Sequence, residues 1–147
     1  MTALWTRTEL EQATGGHFLP AAGPSAPLGT QPEAPARSLT DQAITGISID
    51  TRTLAPGDLF IALKGDASDG HAHVQAALDK GAACAMVHAT DGLADPRVLV
   101  VADTMVGLQQ LAQAARARFT GKVVAVTGSV GKTTTKDMLR LCLSANG

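Results

Sequence analysis

Tyrosine is absent from this 147-residue chain, and aromatic residues of all kinds make up only 3% of it. Single-stranded nucleic acid is held by stacking bases on rings, so a platform of that kind is excluded. A basic excess is also missing, with 12 Lys and Arg against 13 Asp and Glu. No electrostatic footprint for nucleic acid or an anionic membrane surface is present. Cysteine is scarce: Cys84 and Cys142 cannot build a disulfide framework and form no CxxC pair. Their apolar neighbours predict structural thiols, and a reducing, cytoplasmic setting is expected. Long apolar runs are lacking. The longest, residues 82–87 and 98–102, fall far short of the roughly 20 residues of a membrane-spanning helix, so no membrane insertion is expected. The first residues show no basic start followed by an apolar stretch, so no signal peptide is expected.

What is there suits a folded domain. Hydrophobic residues make up 45% of the chain, enough to build a core. Five of the seven prolines (Pro20, Pro24, Pro27, Pro32, Pro35) crowd into residues 20–37. Proline removes a backbone donor and fixes φ, so this stretch predicts a flexible surface insertion rather than a helix or central strand.

On the amino-terminal side, residues 6–13 read as one helix ended by Gly15-Gly16. Beyond residue 44 strands and helices alternate. Residues 44–49, 59–63, 84–87 and 98–101 read as strands. Residues 71–80, with Val74, Ala77 and Leu78 on one face, read as a helix stopped at Gly81. A long helix over 104–119 is predicted from Val106, Leu108, Leu111 and Ala115 and a cap at Asp103 or Thr104. The continuous run 123–126 reads as a buried strand, and a last helix covers about 132–145. The pattern predicts an α/β fold with mostly parallel strands and crossover helices. A seam falls near residue 120, where a fresh strand–loop–helix begins. One strand and one helix cannot bury their own faces, so the chain reads as an amino-terminal domain followed by the start of a second.

The sharpest chemical signal is Thr127-Gly128-Ser129-Val130-Gly131-Lys132-Thr133-Thr134-Thr135-Lys136, behind an apolar run and opening a helix. Glycines let backbone N–H groups curl round phosphate oxygens, and a helix N-terminus adds unpaired N–H groups and a positive dipole end. Lys132 can reach the β/γ-phosphates as a point charge, and the Thr133 hydroxyl can ligate Mg²⁺. The general phosphate-loop pattern puts its first glycine at the place of Val126 here, so this loop is a compact Gly-x-x-Gly-Lys-Thr-Thr. Candidate ATP-binding residues are Gly128, Ser129, Val130, Gly131, Lys132, Thr133 and Thr134, with Lys132 the candidate catalytic group.

That compact loop resembles the ATP loop of the Mur ligase family, the ATP-dependent amide-forming enzymes of peptidoglycan precursor synthesis. A second block agrees. Ile47-Ser48-Ile49-Asp50-Thr51-Arg52, Pro56-Gly57-Asp58-Leu59-Phe60-Ile61-Ala62-Leu63-Lys64-Gly65, Asp69-Gly70-His71 and Gly81-Ala82-Ala83 are similar to the family's UDP-sugar-binding domain. The resemblance covers residues 44–147 and departs at Thr51, where the family usually has Ser, and at Val130, where Asn is common. It implies a UDP-substrate-binding domain over residues 1–120 and the start of a P-loop ATP-binding domain over 121–147. It also implies ATP and Mg²⁺, with UDP-N-acetylmuramoyl-tripeptide and D-alanyl-D-alanine as substrates joined through an acyl phosphate. The family step that adds the third peptide residue, and a non-catalytic UDP-sugar-binding module, are the alternatives. Asp50, Thr51 and Arg52 are the implied UDP contacts, Arg52 a diphosphate partner unless it is spent in a local ion pair. The family's remaining machinery lies further along the sequence, so the 147 residues alone are expected to be inactive, and a monomer is expected.

Other polar residues carry less. His71 and His73 beside Asp69 lack a third convergent ligand for a metal, so a helix-start or substrate-side role is expected. Asp66 and Asp69 read as turn residues, and His17 and His88 as surface residues.

Overall fold

The computed structural model describes residues 3–20, 43–65 and 68–144. Apart from Pro20, the proline-rich stretch lies outside the described residues, as does Asp66. The chain divides into two compact units, Met1–Ala117 and Arg118–Gly147.

The first unit is built on five strands: β1 (His17–Phe18), β2 (Gly46–Ser48), β3 (Asp58–Ile61), β4 (Cys84–Val87) and β5 (Val98–Val100). Their order across the sheet is β1-β5-β4-β3-β2. β2 to β5 run parallel, and β1 pairs antiparallel with β5 at one edge. The expected α/β class with a mostly parallel sheet is what forms. Successive strand residues point to opposite faces, and here both faces are apolar. Leu59, Ile61, Cys84, Met86 and Leu99 enter one core with Trp5, Leu10 and Leu111. Phe60, Ala85, Val87 and Val98 enter the other with Val74, Ala77 and Leu78. Covered faces on both sides are the usual condition of parallel strands.

Three helices supply the covers. α1 (Arg7–Thr14) starts in a capping box between Thr6 and Glu9 and ends at Gly15 in the left-handed region, φ 65°. α2 (Val74–Asp79) follows a 3-10 helix, Gly70–His73, and buries Val74, Ala77 and Leu78 as expected. α3 (Thr104–Arg118) is capped by Asp103, whose carboxylate accepts from the Val106 N–H at 2.9 Å. α3 packs so close to β4 that a Cβ added at Gly107 would lie 3.0 Å from Met86 Sδ.

Several expectations need correction. The first strand shrinks to Gly46–Ser48, with Ile44 instead in an isolated antiparallel bridge to Trp5 and Ile49 exposed. Turn chemistry begins at Ser48, which ends the ladder early. The strand expected over 59–63 is Asp58–Ile61. The helix expected over 71–80 begins as a 3-10 turn, because Asp69 accepts from His71 N–H two residues on. Val106 is exposed, and the buried stripe of α3 runs through Thr104, Gly107 and Leu111.

The second unit contains α4 (Lys132–Ser144). No strand forms over 123–126, where Val123 and Val124 are 58% and 66% exposed. A strand exists only by pairing with a neighbour, and among the described residues this run has none. Cys142, expected in apolar surroundings, is exposed on α4, whereas Cys84 is buried in β4.

Candidate functional site: a strand-end cleft and a phosphate-type loop

Parallel α/β sheets place ligands in the crevice beyond the carboxyl ends of their strands. A cleft of about 450 Å³ opens there in the first unit, lined among others by Asp50, Thr51, Arg52, Phe60, Gly70 and His73. It gathers all three predicted UDP contacts at one rim. Their turn is self-made. The Asp50 carboxylate accepts from the Arg52 N–H at 2.8 Å, and Ser48 Oγ donates to the Asp50 carbonyl at 2.9 Å. The Thr53 N–H closes onto the same carbonyl at 3.1 Å. Arg52 then folds back: its Nε and Nη2 donate to the Asp50 carboxylate, Nη2 at 2.6 Å, with the Arg52 side chain 86% exposed. Hydrogen bonds from the Arg52 side chain, then from its backbone N–H, hold the Asp50 carboxyl down to about 2. The Arg52 guanidinium is thus engaged in a local pair, yet stands at the mouth of the cleft.

Two further residues hold the cleft in shape. Lys80, at the end of α2, donates from Nζ to the Thr51 carbonyl at 2.8 Å and ties the turn to the helix. Gly70 forms part of the floor: a Cβ there would lie 2.9 Å from Ala62 Cα and from the Leu63 backbone. No local sequence signal marks Lys80, because its partner is 29 positions away. Asp69-Gly70-His71 was legible only as part of the family resemblance.

The expectation for Asp69 and His71 resolves into a network. Asp69 caps the 3-10 helix and meets His71 Nδ1 at 2.6 Å. The His71 backbone N–H, then its ring, hold the Asp69 carboxyl below the ordinary carboxylate range. A second cavity of about 350 Å³ lies beside them, lined by Asp69, His71, Ala72, Ala89, Asp91 and Leu93. No cluster of three metal-ligating side chains occurs among the described residues. His17 and His88 are exposed, as expected.

In the second unit, Gly128 and Gly131 have φ of 145° and 80°, conformations that favour glycine. α4 starts immediately after them, its first turn closed by Thr135 N–H on the Gly131 carbonyl at 2.9 Å. Lys132 Nζ donates to the Gly128 carbonyl, so the side chain arches over its own loop. Lys132, Thr133 and Lys136 line a cavity of about 270 Å³ with Val124 and Val126. Two ammonium groups, a hydroxyl and a helix N-terminus converge there, a donor set suited to a polyphosphate. Val130 is 90% exposed and Ser129 and Thr134 are exposed on the loop and helix start.

A family model described as Mur ligase family, catalytic domain, matches residues 43–121. That is more than half of the chain, and the chain belongs to the Mur ligase family. Among curated relatives, a UDP-N-acetylmuramoyl-tripeptide–D-alanyl-D-alanine ligase of Synechocystis is 43% identical over 109 residues, covering 73% of this chain and 24% of the relative. A UDP-N-acetylmuramoyl-L-alanyl-D-glutamate–2,6-diaminopimelate ligase of Syntrophomonas wolfei is 39% identical over 116 residues, 73% of this chain and 22% of the relative. Among solved structures, MurF of Acinetobacter baumannii aligns over 96% of this chain and 28% of its own, at 37% identity and TM-score 0.68. MurF of Thermotoga maritima in complex with ADP aligns over 65% of this chain and 22% of its own, at 34% identity and TM-score 0.54. The chain thus spans about a quarter of the length of the proteins it matches. No helix among the described residues is long and apolar enough to cross a membrane.

Proposed function

We infer that this chain supplies the UDP-substrate-binding region and the phosphate loop of an ATP-dependent, amide-forming ligase. That ligase joins D-alanyl-D-alanine to UDP-N-acetylmuramoyl-tripeptide in peptidoglycan precursor synthesis, in the cytoplasm and as a monomer. The observation that carries this reading is a strand-end cleft and a phosphate-type loop in one chain that is 43% identical, over 109 residues, to a UDP-N-acetylmuramoyl-tripeptide–D-alanyl-D-alanine ligase. Residues 1–120 are the substrate part and residues 121–147 begin the ATP-binding part.

In this reaction the terminal phosphoryl group of ATP passes to a carboxylate oxygen of the tripeptide, giving an acyl phosphate and ADP. The amine of D-alanyl-D-alanine then attacks the carbonyl carbon, and phosphate leaves with the C–O bond electrons. The protein's task is positioning and charge neutralisation on the moving phosphoryl group. Lys132 exchanges the Gly128 carbonyl for phosphate oxygens, and the amides of residues 128–134 cradle them. Thr133 would offer its hydroxyl to Mg²⁺, an ion that would neutralise charge on the phosphates. The ADP held by the Thermotoga maritima relative supports a nucleotide here. Asp50, Thr51 and Arg52 meet the UDP moiety, Arg52 turning from Asp50 toward the diphosphate.

The test is ATP-dependent ligation by the complete gene product. Lys132→Ala is expected to lower the rate by about 10²-fold or more, and an unchanged rate would remove the loop from the mechanism. The diaminopimelate ligase among the relatives keeps a second reading open, addition of the third peptide residue. Supplying each amine with its own UDP substrate separates the two. Saturable UDP binding with no ATP consumption by the complete product would favour a binding module instead.

A further inference from the structure

The turn that floors the cleft is clamped from two sides, and only one clamp is backbone. On the β3 side, Gly70 N–H donates to the Leu63 carbonyl at 2.9 Å, and Lys64 bridges Asp69. On the β4 side the contact is the His71 ring. Its Nδ1 lies 2.6 Å from Asp69 Oδ1, and its Nε2 lies 3.2 Å from the backbone nitrogen of His88, the first residue after β4. The rings of His71 and His88 meet edge to face at 4.1 Å. Only 9% of the His71 side chain is exposed.

A backbone N–H can only donate, so Nε2 accepts and carries no proton. The ring's proton then sits on Nδ1, facing the Asp69 carboxylate. Among the side chains, only a neutral imidazole offers a donor and an acceptor on opposite sides of a rigid ring. An apolar residue would leave both Asp69 and the His88 amide without that partner.

We propose that His71 is a positioning residue of the UDP cleft, a latch that ties the Asp69–Gly70 turn to the end of β4 through its Nδ1–H tautomer. The role rests on reading the cleft as the UDP site. His71 itself touches no substrate. It sets where Gly70 and the neighbouring His73 stand, and both line the cleft.

The experiment uses the 147-residue chain at neutral pH, with UDP as the probe. Long-range ¹H–¹⁵N correlation spectra are expected to show the His71 proton on Nδ1. A proton on Nε2 overturns the latch, and this readout needs no variant. His71→Ala is expected to weaken UDP binding roughly three- to tenfold and to move the Gly70 amide signal. His71→Gln, which can still accept from the His88 N–H, is expected to recover part of the affinity. A His71→Ala chain that binds UDP like the wild type also overturns the latch. A wild-type chain that fails to bind UDP defeats the reading of the cleft instead, so the two failures are told apart.

Discussion

The two units of this chain solve opposite problems. In the first, Leu59, Phe60, Ile61 and all four residues of β4 are buried, covered on both faces. In the second, no described residue is buried, and Met138, Leu141 and Leu143 stand more than half exposed along α4. Yet the second unit carries the more recognisable motif. A phosphate loop is specified locally, by glycine torsions and a helix start that need no neighbour. A core is specified by what surrounds it. A chemical motif can therefore be complete where the packing is not.

The contrast should be sharpest in thiol chemistry. Burial pushes the Cys84 thiol up to about 12, whereas Cys142 is exposed on α4. A maleimide or disulfide reagent is expected to label Cys142 at once. Cys84 should react slower by about 10³-fold or more, at the rate set by opening of the sheet. Comparable rates, read by mass spectrometry, would mean the first unit is far looser than its packing indicates.

Next comes stability. Leu59→Ala is expected to cost about 2–5 kcal/mol by transfer and cavity terms, while Val124→Ala should stay within about 0.5 kcal/mol. Urea unfolding of the two variants, side by side, checks the ratio. A large loss in Val124→Ala would mean that residue is covered in solution. Gly70→Ala tests whether the cleft floor shares the rigidity of the sheet. Its new methyl meets backbone rather than a flexible side chain, so about 1–3 kcal/mol is expected, together with weaker UDP binding. Equal stability would show the turn can move away.

The smallest effect is electrostatic. The Asp50 carboxyl is depressed to about 2, so its pairing with Arg52 persists as pH falls below the ordinary carboxylate range. Any stability it adds is lost as pH falls through about 2. Being exposed, the pair should add little, but ¹³C titration of the carboxyl should show the low midpoint. Arg52→Ala should return it toward the usual value, and no change would mean another group holds it.

Much of the first unit was legible because its signals are short-range. The glycine stop at Gly15, the Asp103 cap and the buried triplet of α2 all follow from spacing within a turn. The candidate UDP turn, Asp50-Thr51-Arg52, was legible only through the family resemblance; the bonds that Ser48, Asp50 and Thr53 make among themselves came from the structure. What escaped was long-range. β1 is two residues long and exists through its pairing with β5, whose partners lie 81 and 83 positions away. Lys80 and His88 matter through partners on other elements. Val123 and Val124 failed for the converse reason, since β-branched runs report a liking for a sheet and not the presence of one.

The alternation of β3, β4 and β5 between two cores has a consequence for divergence. With both faces occupied, these strands offer, beyond the partly exposed Asp58, no position at which a side chain can change its chemistry without disturbing one core or the other. A one-residue slip would exchange the two sets outright. Novelty is thereby confined to the loops at the carboxyl ends of the strands, where the cleft lies. A scaffold of this kind can exchange one recognised ligand for another while its sheet stays as it is.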